Sequence, residues 1–338
     1  MKPLIIPVFI PHEGCPHRCV FCEQRTITAQ KEERIGPDHV ASVLKQATAS
    51  ARFDVKRKPE VAFYGGTFTG LQKRQMVRLL KAVEPFMDQG LIQSIRVSTR
   101  PDALDEDRLT ILKTHGVRTV ELGVQSMNDE VLAYSKRGHT ARDSVEAVQT
   151  LKTAGFGVGV QLMPGLPGDS KDVFTDTVQS VLRLEPDMVR LYPTVVIRGT
   201  QLARMYAQGR YHPLTLDEAV DRCVEATVRL ETNQIPVIRI GLHGSPSLAE
   251  KGQIVAGPWH PAFGFLVRSA IHHRKVASDL PATVQGRIRL FAPRREIPLL
   301  RGHRNQGILT IEHRTGSKVV NIIPDEQVPE GRVRVEVL

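Results

Sequence analysis

Long hydrophobic runs are missing from this sequence, and so are the cysteine pairs that staple small secreted domains. No apolar stretch in the 338 residues reaches the roughly 18 needed to cross a bilayer, which argues against a helical membrane span. The Leu4–Ile10 run is too short, contains Pro7, and leads into Pro11-His12-Glu13 rather than a small-residue cleavage site, so it is not expected to act as a secretory leader. Only four cysteines are present, too few and too unevenly placed for a disulfide framework. These absences point to a soluble, cytoplasmic chain with no membrane partner. Aromatic residues are scarce at 5 %, which limits any surface that would hold nucleic acid by stacking alone. Low-complexity segments are absent too, and 41 % apolar residues supply a sizeable core, which excludes disorder.

Charge is present in excess and unevenly spread. Lysine and arginine number 46 against 36 aspartates and glutamates, and the last 98 residues alone hold 14 basic against 8 acidic residues. A basic tail of this kind faces polyanions, nucleic acid first among them, or is a solvated surface. Arg287, Arg289, Arg294, Arg295, Arg301, His303 and Arg304 carry the charge, with Phe291 among them as a stacking candidate.

Short apolar runs alternate with amphipathic stretches. Strands are expected at Leu4–Ile10, Glu60–Tyr64, Ser94–Thr99, Thr119–Gly123, Gly157–Met163 and Met188–Tyr192, each apolar nearly throughout, as for parallel strands covered by helices. Helices are expected at His39–Ser50, Gln72–Met87, Glu106–His115, Ala141–Ala154 and Lys171–Leu184, with Asp38, Asp105, Thr140 and Ser170 as their caps. Six such units give an α/β fold, a partial (β/α)6 TIM-like barrel over residues 1–240, with function gathered at the C-terminal strand ends. Residues 241–338 form a small basic C-terminal extension of α+β type, with β-like runs at Ile308–His313, Lys318–Ile323 and Arg332–Leu338.

The sharpest local signal is Cys15-Pro-His-Arg-Cys19-Val-Phe-Cys22, directly after the first strand. Thiolates suit iron–sulfur clusters, and a CxxxCxxC loop can hold three corners of a cubane while its fourth iron stays open to a chelating ligand. Structural zinc with His17 as fourth ligand is the competing reading. It is disfavoured because zinc ligands usually come as two separated pairs and no second pair follows. Cys223, at core-facing spacing with Leu216, Val220 and Val224, reads as a buried thiol.

The CxxxCxxC loop after the first strand resembles the radical S-adenosylmethionine (SAM) superfamily. Phe63-Tyr64-Gly65-Gly66-Thr67 resembles the superfamily's second-strand segment that approaches the SAM amino group. The resemblance implies a 4Fe–4S cluster on Cys15, Cys19 and Cys22. It further implies SAM bound through its amino and carboxylate groups, and reductive cleavage of SAM to a 5′-deoxyadenosyl radical. Ser98 in Arg96–Asp102, Gln125 in Glu121–Ser126, Arg137 in Arg137-Gly138-His139-Thr140 and Gln161 in Gln161–Gly168 resemble the branch containing the Elongator catalytic subunit and the oxygen-independent coproporphyrinogen oxidase. Carried over by position, Gln125 resembles a ribose-contacting glutamine and Arg137 an arginine facing the SAM carboxylate. Ser98 and Gln161 stand where the porphyrin enzyme has ribose-binding glutamate and aspartate.

Val189–Thr200 and Gln208-Gly209-Arg210-Tyr211 extend the Elongator resemblance to about Leu248. It implies tRNA as substrate and a one-electron reductant such as flavodoxin or ferredoxin as partner. Two departures stand out: the cysteine spacing is the compact one, and the basic segment from Gly241 stands where that branch carries an acetyltransferase domain, so acetyl-CoA chemistry is not implied. A small metabolite or tetrapyrrole-like substrate, or a non-catalytic iron–sulfur protein, remains the alternative. Gly257–Gly264, with Trp259 and His260, reads as a packed Pro-Gly loop ahead of a substrate contact.

Overall fold

The computed structural model describes residues 3–16, 18–28, 35–242, 246–281 and 286–338. Strands β1 (Ile5–Phe9), β2 (Glu60–Tyr64), β3 (Ser94–Thr99), β4 (Val117–Gln125), β5 (Gly157–Leu162) and β6 (Met188–Leu191) pair in parallel in chain order. After a two-residue strand β7 (Val196–Ile197), strand β8 (Val237–Ile240) adds in parallel beside β6. The result is a curled, open half-barrel of seven strands rather than the six expected from sequence. The seventh escapes a search for apolar runs because it has four residues, carries Arg239, and buries only Val237 fully.

Side chains alternate across these strands with period two. Val61, Phe63, Ile95, Val97, Val120, Leu122, Val158 and Val160 are buried in the main core beneath the covering helices. The intervening positions, among them Tyr64, Arg96, Ser98, Glu121, Gln161 and Arg190, line the cavity on the concave side. Polar residues inside otherwise apolar strands therefore mark the inner wall.

Caps place the helices. Asp105, Thr140 and Ser170 each accept a backbone N–H in the first turn, and Thr140 with Asp143 closes a capping box before Ala141–Thr153. Asp38 does not cap: its helix, Pro37–Thr48, starts after Gly36, with Asp38 inside the first turn where its charge suits the helix dipole. The single helix expected over Gln72–Met87 is two, Lys73–Lys81 and Glu84–Asp88, because Pro85 lacks an N–H and starts a new first turn.

Strand β7 pairs antiparallel with β9 (Ile254–Ala256). Beyond it, β10 (Gly286–Ala292) lies between β11 (Ser317–Pro324), parallel, and β12 (Arg334–Val337), antiparallel. The β-like run at Ile308–His313 is instead part of helix Gln306–Thr315, whose buried residues Gly307, Ile311 and Thr315 recur every four positions. Helix Phe263–Val276 contributes Phe263, Val267 and Ile271 to the barrel core and Val276 to the apolar cluster under the small sheet.

The loop after β5 holds a carboxyl with an unusual titration. Asp169 accepts from the Gly165 N–H at 2.7 Å and lies 3.3 Å from Arg222, while Tyr211 donates to the Gly165 carbonyl at 2.6 Å. Burial pushes the Asp169 carboxyl up to about 6. The folded chain therefore keeps a proton that the unfolded chain sheds near pH 4, and this group erodes stability as pH rises from about 4 to 6. Asp169→Asn keeps the Gly165 acceptor without the charge. It is expected to unfold later in denaturant than the wild type above pH 6, by about 1–3 kcal/mol, with the gain vanishing near pH 4.

Candidate cluster and cofactor site

The site is built from two loops locked backbone to backbone. The loop after β1 carries Cys15, Cys19 and Cys22, and the loop after β2 carries Gly65, Gly66 and Thr67. The Thr67 N–H donates to the Glu13 carbonyl at 2.7 Å, and the Thr67 hydroxyl lies 3.3 Å from the Cys15 sulfur. Gly66 sits at φ +58°, and a Cβ there would collide with the Ile10 and Glu13 carbonyls. Its lack of a side chain lets the two loops close on each other, whatever else approaches its backbone.

Gln24 completes the lock: its side-chain oxygen accepts from both the His12 and Gly66 N–H groups. Its own N–H donates to His12 Nε2 at 3.1 Å. Burial, and next the Arg18 charge, push the His12 pKa down, so a neutral imidazole accepts that bond. Nothing in the sequence singled out Gln24; only the fold brings residues 12, 24 and 66 together.

Two of the loop thiols, Cys15 and Cys22, sit in surroundings that resist ionisation. Burial pushes Cys15 up, offset in part by the Thr67 hydroxyl. Cys22 is pushed up more strongly, by burial and then by the neighbouring Cys19 and Cys15 sulfurs. Such thiols become thiolates when a cation neutralises them. The Arg137 guanidinium donates to the Cys19 sulfur at 3.0 Å and to the Gly123 carbonyl at 2.6 Å. Among the described residues no three Cys, His, Asp or Glu side chains converge on one metal ion. His17, the fourth ligand of the zinc alternative, lies outside the described residues. Cys223 is fully buried on helix Leu216–Thr232, away from this loop, and acts as core.

The other candidates line the same cavity, of about 910 Å³, with the three cysteines. Gln125 ends β4 in a left-handed conformation, φ +70°, and its side-chain oxygen accepts from Gln161 at 3.2 Å. Ser98 on β3 and Arg137 lie on the same wall. His139, beside Arg137, is pushed down to about 4 by burial and then by the Arg137 charge, so it stays neutral.

Deeper in the barrel lies a charged network that sequence reading did not assign to the site. Arg96 donates to Glu60 at 2.9 Å and to Glu121 at 2.6 Å, and Arg190 reaches Glu121 at 2.7 Å. Arg190 also donates to the Tyr64 hydroxyl at 2.5 Å and the Tyr192 hydroxyl at 3.1 Å. Burial opposes the Arg96 charge, but Glu121 and Glu60 hold its pKa above the usual value. Burial, then Glu121, keeps Tyr64 protonated. The signal was available: opposite charges on neighbouring, otherwise apolar strands have to meet inside.

The parallel half-barrel carries three thiols in the loop after its first strand and polar side chains along its concave face. Residues 9–181, just over half the chain, match the radical SAM superfamily, and residues 186–273 match the radical SAM C-terminal domain. The chain belongs to the radical SAM superfamily: it is an enzyme, and its cofactors are a 4Fe–4S cluster and SAM.

Among its relatives, the tRNA uridine(34) acetyltransferase of Methanocaldococcus jannaschii is 38 % identical over 128 residues, covering 37 % of this chain and 24 % of that one. Elongator complex protein 3 of Homo sapiens is 36 % identical over 265 residues, covering 64 % and 47 %. The chain thus spans between a quarter and a half of the length of these relatives. The archaeal Methanocaldococcus infernus Elp3 structure superposes with a TM-score of 0.62 at 23 % identity, over 81 % of this chain and 64 % of that one, a likeness of fold.

Proposed function

We propose that Cys15, Cys19 and Cys22 hold three irons of the cluster, that SAM occupies the adjoining cavity, and that the enzyme modifies tRNA. The observation that carries this reading is the convergence of the cysteine loop, the Gly65-Gly66-Thr67 segment, Ser98, Gln125, Arg137 and Gln161 on one cavity. The backbone of Gly65–Thr67 would receive the SAM amino group and Arg137 its carboxylate, a pairing a guanidinium can make with two bonds. Gln125, Ser98 and Gln161 would address the ribose. A cluster held there would supply one electron, taken from flavodoxin or ferredoxin, for the reductive cleavage of SAM.

The tRNA part rests on the printed names of the relatives and on exposed charge. Arg287, Arg294, Arg301, Arg304 and Arg314 are exposed and form no ion pair among the described residues. Arg289, Arg295, Arg332 and Arg334 are spent on Glu336, Glu330, Asp279 and Asp325. Phe291 does not serve as a free stacking platform, because the Arg334 guanidinium covers its ring at 3.7 Å. We read residues 1–240 as the catalytic barrel and 241–338 as the tRNA-docking extension of a cytoplasmic enzyme.

Among the described residues no helix is long and apolar enough to cross a membrane. The test is anaerobic reconstitution, incubation with total tRNA, SAM and a reductant, and mass analysis of the nucleosides. A new nucleoside together with 5′-deoxyadenosine is expected. Binding to tRNA should weaken about a hundredfold between 50 and 200 mM salt if about five phosphates are neutralised. Inert tRNA alongside turnover of a metabolite pool would select the small-molecule reading instead.

A further inference from the structure

We propose that Tyr211 is a positioning residue that holds the cysteine loop in register with the wall assigned to the SAM ribose. The inference rests on the cluster and SAM placement above and adds the side chain that joins their two supports.

Residues 18–23 form neither helix nor strand, so their backbone groups need partners from elsewhere in the chain. The Val20 N–H donates to the Ser135 carbonyl at 3.2 Å, and the Val20 carbonyl accepts from the Leu202 N–H at 2.8 Å. Leu202 is in the first turn of helix Gln201–Ala207, where N–H groups have no partner within the helix. The Val20 side chain is buried in a small apolar cluster with Val196, Leu202 and Tyr211, and Phe21 packs against that cluster.

Tyr211 is 6 % exposed, and its hydroxyl reaches out of the cluster to donate to the Gly165 carbonyl at 2.6 Å. The chain just before Gly165 is tied step by step to the cofactor wall. The Pro164 carbonyl accepts from the Thr194 N–H at 2.9 Å, and the Met163 N–H donates to the Gln125 carbonyl at 2.9 Å. The Gln161 side chain donates to that of Gln125 at 3.2 Å. Phe21, Gln125, Gln161 and Met163 all line the cavity, whereas Tyr211 does not. One side chain outside the cavity thus joins the residues between Cys19 and Cys22 to the loop after β5.

A phenol inside an apolar cluster is costly unless its O–H is bonded. Phenylalanine would fill the same space without that cost, so packing by itself does not call for the hydroxyl. What the hydroxyl adds is a fixed spacing between two loops. A cofactor gripped by one loop and a cluster held by another react only while those loops keep register. Without the tether the loop after β5 holds its place for a fraction of the time, and SAM affinity falls by that fraction.

The experiment uses the reconstituted full chain with its cluster left unreduced, so that SAM binds without being cleaved. Tyr211→Phe is expected to retain its iron and to bind SAM about tenfold more weakly, with the Gly165 carbonyl left unpaired. Gln161→Ala should weaken SAM binding as well. Adding Tyr211→Phe to it should then cost clearly less than the single change, because both act through one wall. Amide hydrogen exchange in the wild type supplies a check that needs no variant. SAM should slow exchange across residues 200–211, none of which lines the cavity, together with residues 161–166. Unchanged SAM affinity in Tyr211→Phe, additive losses in the double variant, or no slowing across residues 200–211 overturns the proposal. Loss of iron in Tyr211→Phe does so too, since the residue would then support the cysteine loop alone. A wild-type protein that takes up no iron or binds no SAM fails the site assignment itself, a result distinct from these.

Discussion

Replacing Cys19 with alanine is expected to leave the oxygen-protected protein with little bound iron after reconstitution, no visible iron–sulfur absorbance and no cleavage of SAM. The expectation follows from the donor count. The loop offers three sulfurs, and the other cysteine, Cys223, is fully buried in the core of helix Leu216–Thr232. Loss of Cys19 leaves two donors, too few to hold a cubane. It also takes away the sulfur that accepts from Arg137. Cys223→Ala is the matched control: it removes a thiol of the same chemistry from the core and should leave iron content intact. Equal iron in the Cys19 variant and the wild type would remove the cysteine loop from the chemistry.

Glu121→Ala is expected to cost roughly 3–5 kcal/mol of stability, read from denaturant unfolding, because it strands charges inside the barrel. Glu121 is 6 % exposed and is shared by Arg96, 7 % exposed, and Arg190, 15 % exposed. Glu60 still holds Arg96, but among the described residues Arg190 keeps only the Tyr64 and Tyr192 hydroxyls as hydrogen-bond partners. Glu146→Ala removes an exposed helical pair with Arg142 and should leave the unfolding curve where it was. Comparable curves for the two variants would show that water reaches the lumen and screens Glu121.

The two loops at the mouth of the barrel were legible because their chemistry is local. Three cysteines within eight residues and a glycine pair at a strand end declare themselves by type and spacing. The caps at Asp105, Thr140 and Ser170 were legible for the same reason: a side chain that bonds a backbone three residues away needs no tertiary partner. Gln24 was illegible because its role is to accept from residues 12 and 66 at once. The strand Val237–Ile240 and the helix Gln306–Thr315 were missed or misread where a short or mixed pattern serves either period.

The sequence by itself determined the parallel sheet, the alternation of strand and helix, and the three-sulfur loop, since each depends on residue type and spacing within about thirty residues. Tertiary structure alone decided that the sheet gains a seventh strand beside β6 and that Gly66 is needed where two backbones touch. It also decided that Glu60, Arg96, Glu121 and Arg190 share one network. The physical reason is reach: covalent neighbours set local conformation, whereas contacts across a curled sheet join residues scores of positions apart, and no local pattern encodes which of them will meet.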